Sequence, residues 1–182
     1  MGSGLKLAIG ELQTSLRTDT TPVFFGITIN GSNDRVAYVF QPDTKIEAIT
    51  NVGFRTNSIT GSPGTIKLSL QGIDSTGKPD NVILGGAAPA SVTVTPSGTG
   101  WHWYALNNSY TPTLGQFISL EVKPIGVFDV SNNLSATIRI RYLGADRRGL
   151  PYSLQETDGA GWIKQTLGAT CYGYKGATTV GG

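Results

Sequence analysis

The segment Thr65-Ile66-Lys67-Leu68-Ser69-Leu70-Gln71 alternates apolar and polar side chains without interruption. Successive side chains of an extended chain point to opposite faces, so this stretch predicts a strand with Ile66, Leu68 and Leu70 on a dry face and Lys67, Ser69 and Gln71 toward water. The same alternation recurs over 91–95, 117–123 and 136–142. Strand-like stretches also fall at 23–29 and 35–40, joined by Asn30-Gly31-Ser32-Asn33-Asp34, in which Asn-Gly is a hairpin turn signal. Over 44–56 the residues Ile46, Ala48, Val52 and Phe54 share one parity, and Gly53 marks a bulge or a close backbone approach. A short strand at 82–84 and the run 101–106 complete the set. Turns rich in Gly, Pro, Asp and Ser at 61–64, 74–80 and 96–100 separate these segments. Roughly eight or nine short strands at regular spacing, without helical periodicity, predict an all-β fold: an antiparallel β-sandwich of jelly-roll type. Ile66, Leu68, Leu70, Ile118, Leu120, Val122, Ile138 and Ile140 are its expected core; the strand order is not legible.

Both ends of the chain depart from this grammar. Residues 1–20 contain Leu5, Leu7, Ile9, Leu12 and Leu16 at a spacing that fits neither strand nor helix, and they read as an N-terminal arm that needs a surface to pack on. The sandwich domain is expected over 21–144. Residues 145–182 read as an irregular extension, or a linker to a further module. Tyr152, Trp162, Tyr172 and Tyr174 stand there among glycines, and rings of that size are expected to pack on the sandwich, a following module or a neighbouring chain.

Composition narrows the function classes. Charged residues make up 14% of the 182, against roughly 25% in ordinary soluble domains. The net charge of +2 comes from 14 basic and 12 acidic residues with no long block of one sign, which gives no footprint for nucleic acid. A single cysteine, Cys171, precludes an internal disulfide and a cysteine-rich zinc site. The first ten residues lack the apolar core of a signal peptide, and no apolar run reaches the roughly eighteen residues of a membrane span. Secreted-type composition without an export signal is the expectation for a particle assembled in the host cytoplasm and released by lysis.

Candidate chemistry is sparse. Trp101-His102-Trp103-Tyr104 is the densest aromatic cluster, with Trp101 and Trp103 on one face of the strand and His102 and Tyr104 on the other. Either pair could serve as core or subunit contact, or as a platform on which sugar rings stack. The lone histidine, His102, has no Gly-x-Ser-x-Gly elbow to work with, so a Ser-His-Asp site is not expected. Glu47 and Glu121 lie at outward strand positions, and a glycosidase would need such a pair to face each other across a cleft. Asp34, Asp43, Asp74, Asp80 and Asp129 sit in turns without the spacing of a calcium loop. Arg139 and Arg141 share the polar side of the last confident strand, suited to solvent or to bidentate pairing with a neighbour's acids. No enzymatic activity, cofactor or metal is expected.

Several pieces together resemble a known family. The run 64–74, the turn Gly77-Lys78-Pro79-Asp80, Trp103 and the run 110–120 are similar to a β-sandwich module common in phage virion proteins and some secreted proteins. The resemblance spans roughly residues 44–174, within the boundary uncertainty of pattern reading. It implies a non-enzymatic virion structural protein, a capsid decoration or cement protein or a tail- or vertex-associated component. Its partners would be copies of itself and other virion proteins, with neither nucleic acid nor membrane bound. The alternative is a carbohydrate-binding module of an adhesin or receptor-binding protein, with a host surface glycan as ligand. Trp101, Trp103, Tyr104, Arg139, Arg141, Trp162, Tyr172 and Tyr174 are the candidate ligand or interface residues.

Overall fold

The computed structural model describes residues 23–42, 46–140, 152–156, 159–165, 168–170 and 172–178, so the arm read over 1–20 lies outside the described residues. Strands β1 (Val23–Ile29), β3 (Ile46–Thr60), β7 (Gly100–Tyr110), β9 (Asn133–Ile140), β12 (Gly168–Thr170) and β13 (Tyr172–Thr178) form a first sheet, A. Strands β2 (Arg35–Phe40), β4 (Thr65–Ile73), β5 (Pro79–Ile83), β6 (Ser91–Val94), β8 (Ile118–Ile125), β10 (Tyr152–Glu156) and β11 (Ile163–Gln165) form a second sheet, B. The described residues contain no helix, and every strand pair is antiparallel. The inner faces of the sheets share one core, so the fold is an all-β sandwich.

Alternation explains the core. From sheet B, Val36, Ile66, Leu68, Leu70, Ile118, Leu120 and Val122 are fully buried, and they meet Ile49, Val52, Phe54 and Leu134 from sheet A. Six of the eight residues expected in the core are thereby placed there; for Ile138 and Ile140 only the backbone pairing in β9 is described. Ile49 and Val52 are both buried although they differ in parity. Against β13 the register moves two residues on β3, from Asn51 to Ile49, for one on its partner, which turns the strand over there; a further shift, against β9, falls between Thr56 and Ser58. The irregularity therefore lies at Thr50, and Gly53 serves the other purpose anticipated for it, a close approach.

Sheet A contains a fork. Thr56 pairs with Gly100 on β7 and with Ala136 on β9, so these neighbours occupy opposite edges of β3. Val52 pairs with Tyr104 on β7 and Tyr174 on β13, which puts β13 on the β9 edge. β9 leaves β3 beyond this point, and Ile138 pairs with both Phe25 and Thr170. Strands β12, against β9, and β13, against β3, thus fill the opening between those two, while β10 and β11 extend sheet B beyond β2. The sequence of the tail, with its many glycines and little alternation, predicts no strands. Four short ones form because the two sheets supply backbone partners at their open edges.

Three other details differ from the sequence reading. β5 begins at Pro79, inside the expected turn, and β7 runs on to Tyr110, past the run 101–106 expected for it. Ser69 and Gln71, expected in water, are 1% and 3% exposed on the outer face of sheet B.

The loop between β8 and β9 is held by Asp129, whose Oδ1 accepts from the Ser131 and Asn132 backbone amides, both at 2.8 Å, while Asn132 Oδ1 accepts from the Ser62 amide. Phe128 is buried and its neighbours Val127 and Val130 are exposed. The bond from the Ser131 amide, then that from Asn132, holds the Asp129 carboxyl below its ordinary value of 3.8. A depressed carboxyl pKa contributes stability above the unfolded-state value and loses it as pH falls through the folded-state value. The Asp129 carboxyl carbon is therefore expected to titrate below pH 3.8, with amide protection at Ser131 and Asn132 lost over the same acid range in NMR.

Candidate functional site

Cross-strand register sorts the aromatic cluster of β7. Phe54 faces His102 and Val52 faces Tyr104, whereas Gly53 faces Trp103 and Arg55 faces Trp101. Residues directly opposite in an antiparallel pair share a face. Phe54 is fully buried, with its ring 6.3 Å from His102 and 6.2 Å from Tyr104, so these three mark the inner side. Trp101, Trp103 and Arg55 consequently lie on the outer face of sheet A. The core placement available to Trp103 is not used: the tryptophan is half-buried on the outside.

The two outer rings are parallel, with centroids 5.6 Å apart and planes 9° from each other. Gly53 makes this arrangement possible. A Cβ at that position would stand 2.6 Å from the His102 carbonyl oxygen and 2.7 Å from Trp103 Cε3. The indole thus lies over bare backbone, and on the far edge of β3 the neighbour of Gly53 is again a glycine, Gly173. Gly53→Ala is expected to cost about 1–3 kcal/mol, the ordinary range for forcing atoms into a packed site. Urea unfolding monitored by tryptophan emission checks it.

On the inner side, burial pushes the Tyr104 phenol above its ordinary 10.0, so the group stays neutral. His102 Nε2 meets the carbonyl oxygen of Gly98 at 3.2 Å rather than a serine or a carboxylate. Glu47 lies in β3 of sheet A and Glu121 in β8 of sheet B, so the two do not face each other across one sheet. Among the described residues no group of three or more His, Cys, Asp or Glu side chains could hold a metal ion.

The outer face of sheet B carries a polar cluster that the sequence pattern did not disclose. Glu121 is 3% exposed, and its carboxylate accepts from Arg35 Nη1 at 3.0 Å, from Ser69 Oγ at 3.3 Å and from Gln71 Nε2. Arg35 also donates to Asn81 Oδ1 at 2.7 Å and stacks over the Trp162 ring, 4.7 Å from its centroid. Trp162 and Ile73 pack against the fully buried Ala37 and Val39. The turn that brings Trp162 here passes through Gly159 and Gly161 at φ 75 and 95, values that favour glycine. Outward parity alone marks Ser69, Gln71 and Glu121 as solvent-facing; instead they bond to one another and to Arg35, which itself lies over Trp162 of the tail.

The remaining sequence candidates are dispersed. Arg139 pairs with Phe24 and Ala169 within sheet A, and Tyr172 and Tyr174 pair with Phe54 and Val52. Arg141 and Cys171 lie outside the described residues. No protein-family model, no curated protein and no solved structure matches the chain. Among the described residues no helix is long and apolar enough to cross a membrane.

Proposed function

We propose that this chain is a non-enzymatic structural module of a phage particle, a decoration, tail or vertex component that acts by contacts with copies of itself and with other virion proteins. The observation that carries the reading is the parallel Trp101–Trp103 pair beside Arg55 on the outer face of sheet A. Tryptophan and arginine are the residue types that dominate binding energy at protein interfaces. Large apolar side chains elsewhere on the surface support the reading: Leu114 is 82% and Val130 80% exposed. The resemblance of residues 44–174 to phage virion sandwiches supplies the setting, a virion assembled in the host cytoplasm.

Light scattering of the purified chain, alone and mixed with its particle proteins, tests this. The wild type is expected to associate, and Trp101→Ala/Trp103→Ala to remain a folded monomer by circular dichroism. A double variant that associates like the wild type would overturn the reading.

The parallel rings also favour a second reading, a carbohydrate-binding module for a host surface glycan, since flat indole faces stack on sugar rings. Saturable glycan binding by a monomeric chain, lost in Trp101→Ala without loss of fold, would establish this reading in place of the first.

A further inference from the structure

The outer face of sheet B holds three buried polar atoms that have no hydrogen-bond partner among the described residues: Ser119 Oγ, Gln71 Oε1 and Trp162 Nε1. Register brings the first two together, and Trp162 packs on the apolar cluster beside them. Ser119 stands between Val39 on β2 and Gln71 on β4. Ala37, Val39, Ile73 and Trp162 form one apolar cluster, and because Val39 belongs to β2 and Ile73 to β4, that cluster bridges β8 at Ser119. The Trp162 ring thus packs beside the row in which the other two atoms lie. Buried polar groups without partners are rare in folded proteins, so two in one row and a third on the ring packed beside it point to a bound group that satisfies them.

Their chemistry selects the class of that group. The indole N–H only donates, the amide oxygen only accepts, and the serine hydroxyl does either. An inorganic anion could accept from Trp162 but has no proton for Gln71 Oε1, and it would sit beside the Glu121 carboxylate. A cation could not accept from Trp162. A hydroxyl oxygen meets all three demands, and the Glu121 charge needs nothing from it because Arg35 is 3.0 Å away. We propose that a hydroxyl-bearing ligand binds beneath Trp162, bonded to Trp162 Nε1, Gln71 Oε1 and Ser119 Oγ, with the indole ring as its cover. The hydroxyl belongs either to a sugar or polyol or to one held water, which also suits two to four polar partners. This site is separate from the Trp101–Trp103 face and does not rest on the function proposed for it.

Proton–nitrogen NMR of the full chain tests the site, with the Trp162 indole signal assigned by its loss in Trp162→Phe. Glycerol, glucose, galactose, mannose and N-acetylglucosamine are titrated. A saccharide source predicts a saturable shift of the Trp162 signal, an affinity about tenfold weaker in Ser119→Ala, and unmoved Trp101 and Trp103 signals. A held water predicts no saccharide response but a cross-peak between the Trp162 indole proton and a long-lived water. The wild type alone can overturn the proposal: a Trp162 indole proton that exchanges as fast as an exposed one, or saccharide shifts confined to Trp101 and Trp103, would do so.

Discussion

Leu68→Ala and Leu120→Ala are each expected to lower stability by about 2–5 kcal/mol, with a lower urea midpoint and an unchanged slope. Both leucines are fully buried on the inner face of sheet B. Leu68 pairs with Val92 on one side and Val122 on the other, and Leu120 with Tyr38 and Leu70. Central strands held on both edges have little freedom to close a cavity, so the cost combines lost transfer free energy with the void left behind. Leu114→Ala is the control. That side chain is 82% exposed, and its removal should change stability by no more than about 0.5 kcal/mol. Equal effects at Leu68 and Leu114 would mean that the register of β4 is wrong.

Arg35→Ala is expected to cost about 3 kcal/mol, the lower end of the range for breaking a buried ion pair from one side. Glu121 would stay 4% exposed by side chain with its counter-charge gone; the 18% exposure of the Arg35 side chain lets some water reach the pair and keeps the figure at that end. The same substitution removes the cation above the Trp162 ring and the bond to Asn81. A thermodynamic cycle separates the contributions. Arg35→Ala/Glu121→Gln should recover a large part of the loss, because a neutral amide can still accept from Ser69 and no charge is left buried. If the double variant is no more stable than Arg35→Ala, the loss comes from packing against Trp162 and not from the carboxylate. The Trp162 emission would then shift to the red in both variants.

Strands whose alternation is clean were legible with their inner residues, as at Ile66, Leu68 and Leu70, because one face of each meets the core. Gly53 was legible as a position where backbone is approached, although not what approaches it. The β3 bulge was not, because Ile46, Ala48, Val52 and Phe54 share a parity that hides the inversion at Thr50. Four strands of the tail are not legible for a related reason. Their residues alternate poorly, and they form on the open edges of sheets whose layout no local pattern specifies. Alternation puts Trp101 and Trp103 on one face of their strand, but whether that face lies inward or outward depends on the β3 register.

Side-chain alternation and residue counts are local properties, and they suffice for the sandwich class, for inner residues such as Ile66, Leu68 and Leu70, and for the absence of an internal disulfide. The strand order, the fork filled by β12 and β13, the outward Trp101–Trp103 pair and the burial of Glu121 against Arg35, Ser69 and Gln71 follow only from the tertiary structure. Those features arise where residues distant along the chain meet, and a polar side chain at an outward position is buried or wet according to what other part of the chain folds over it.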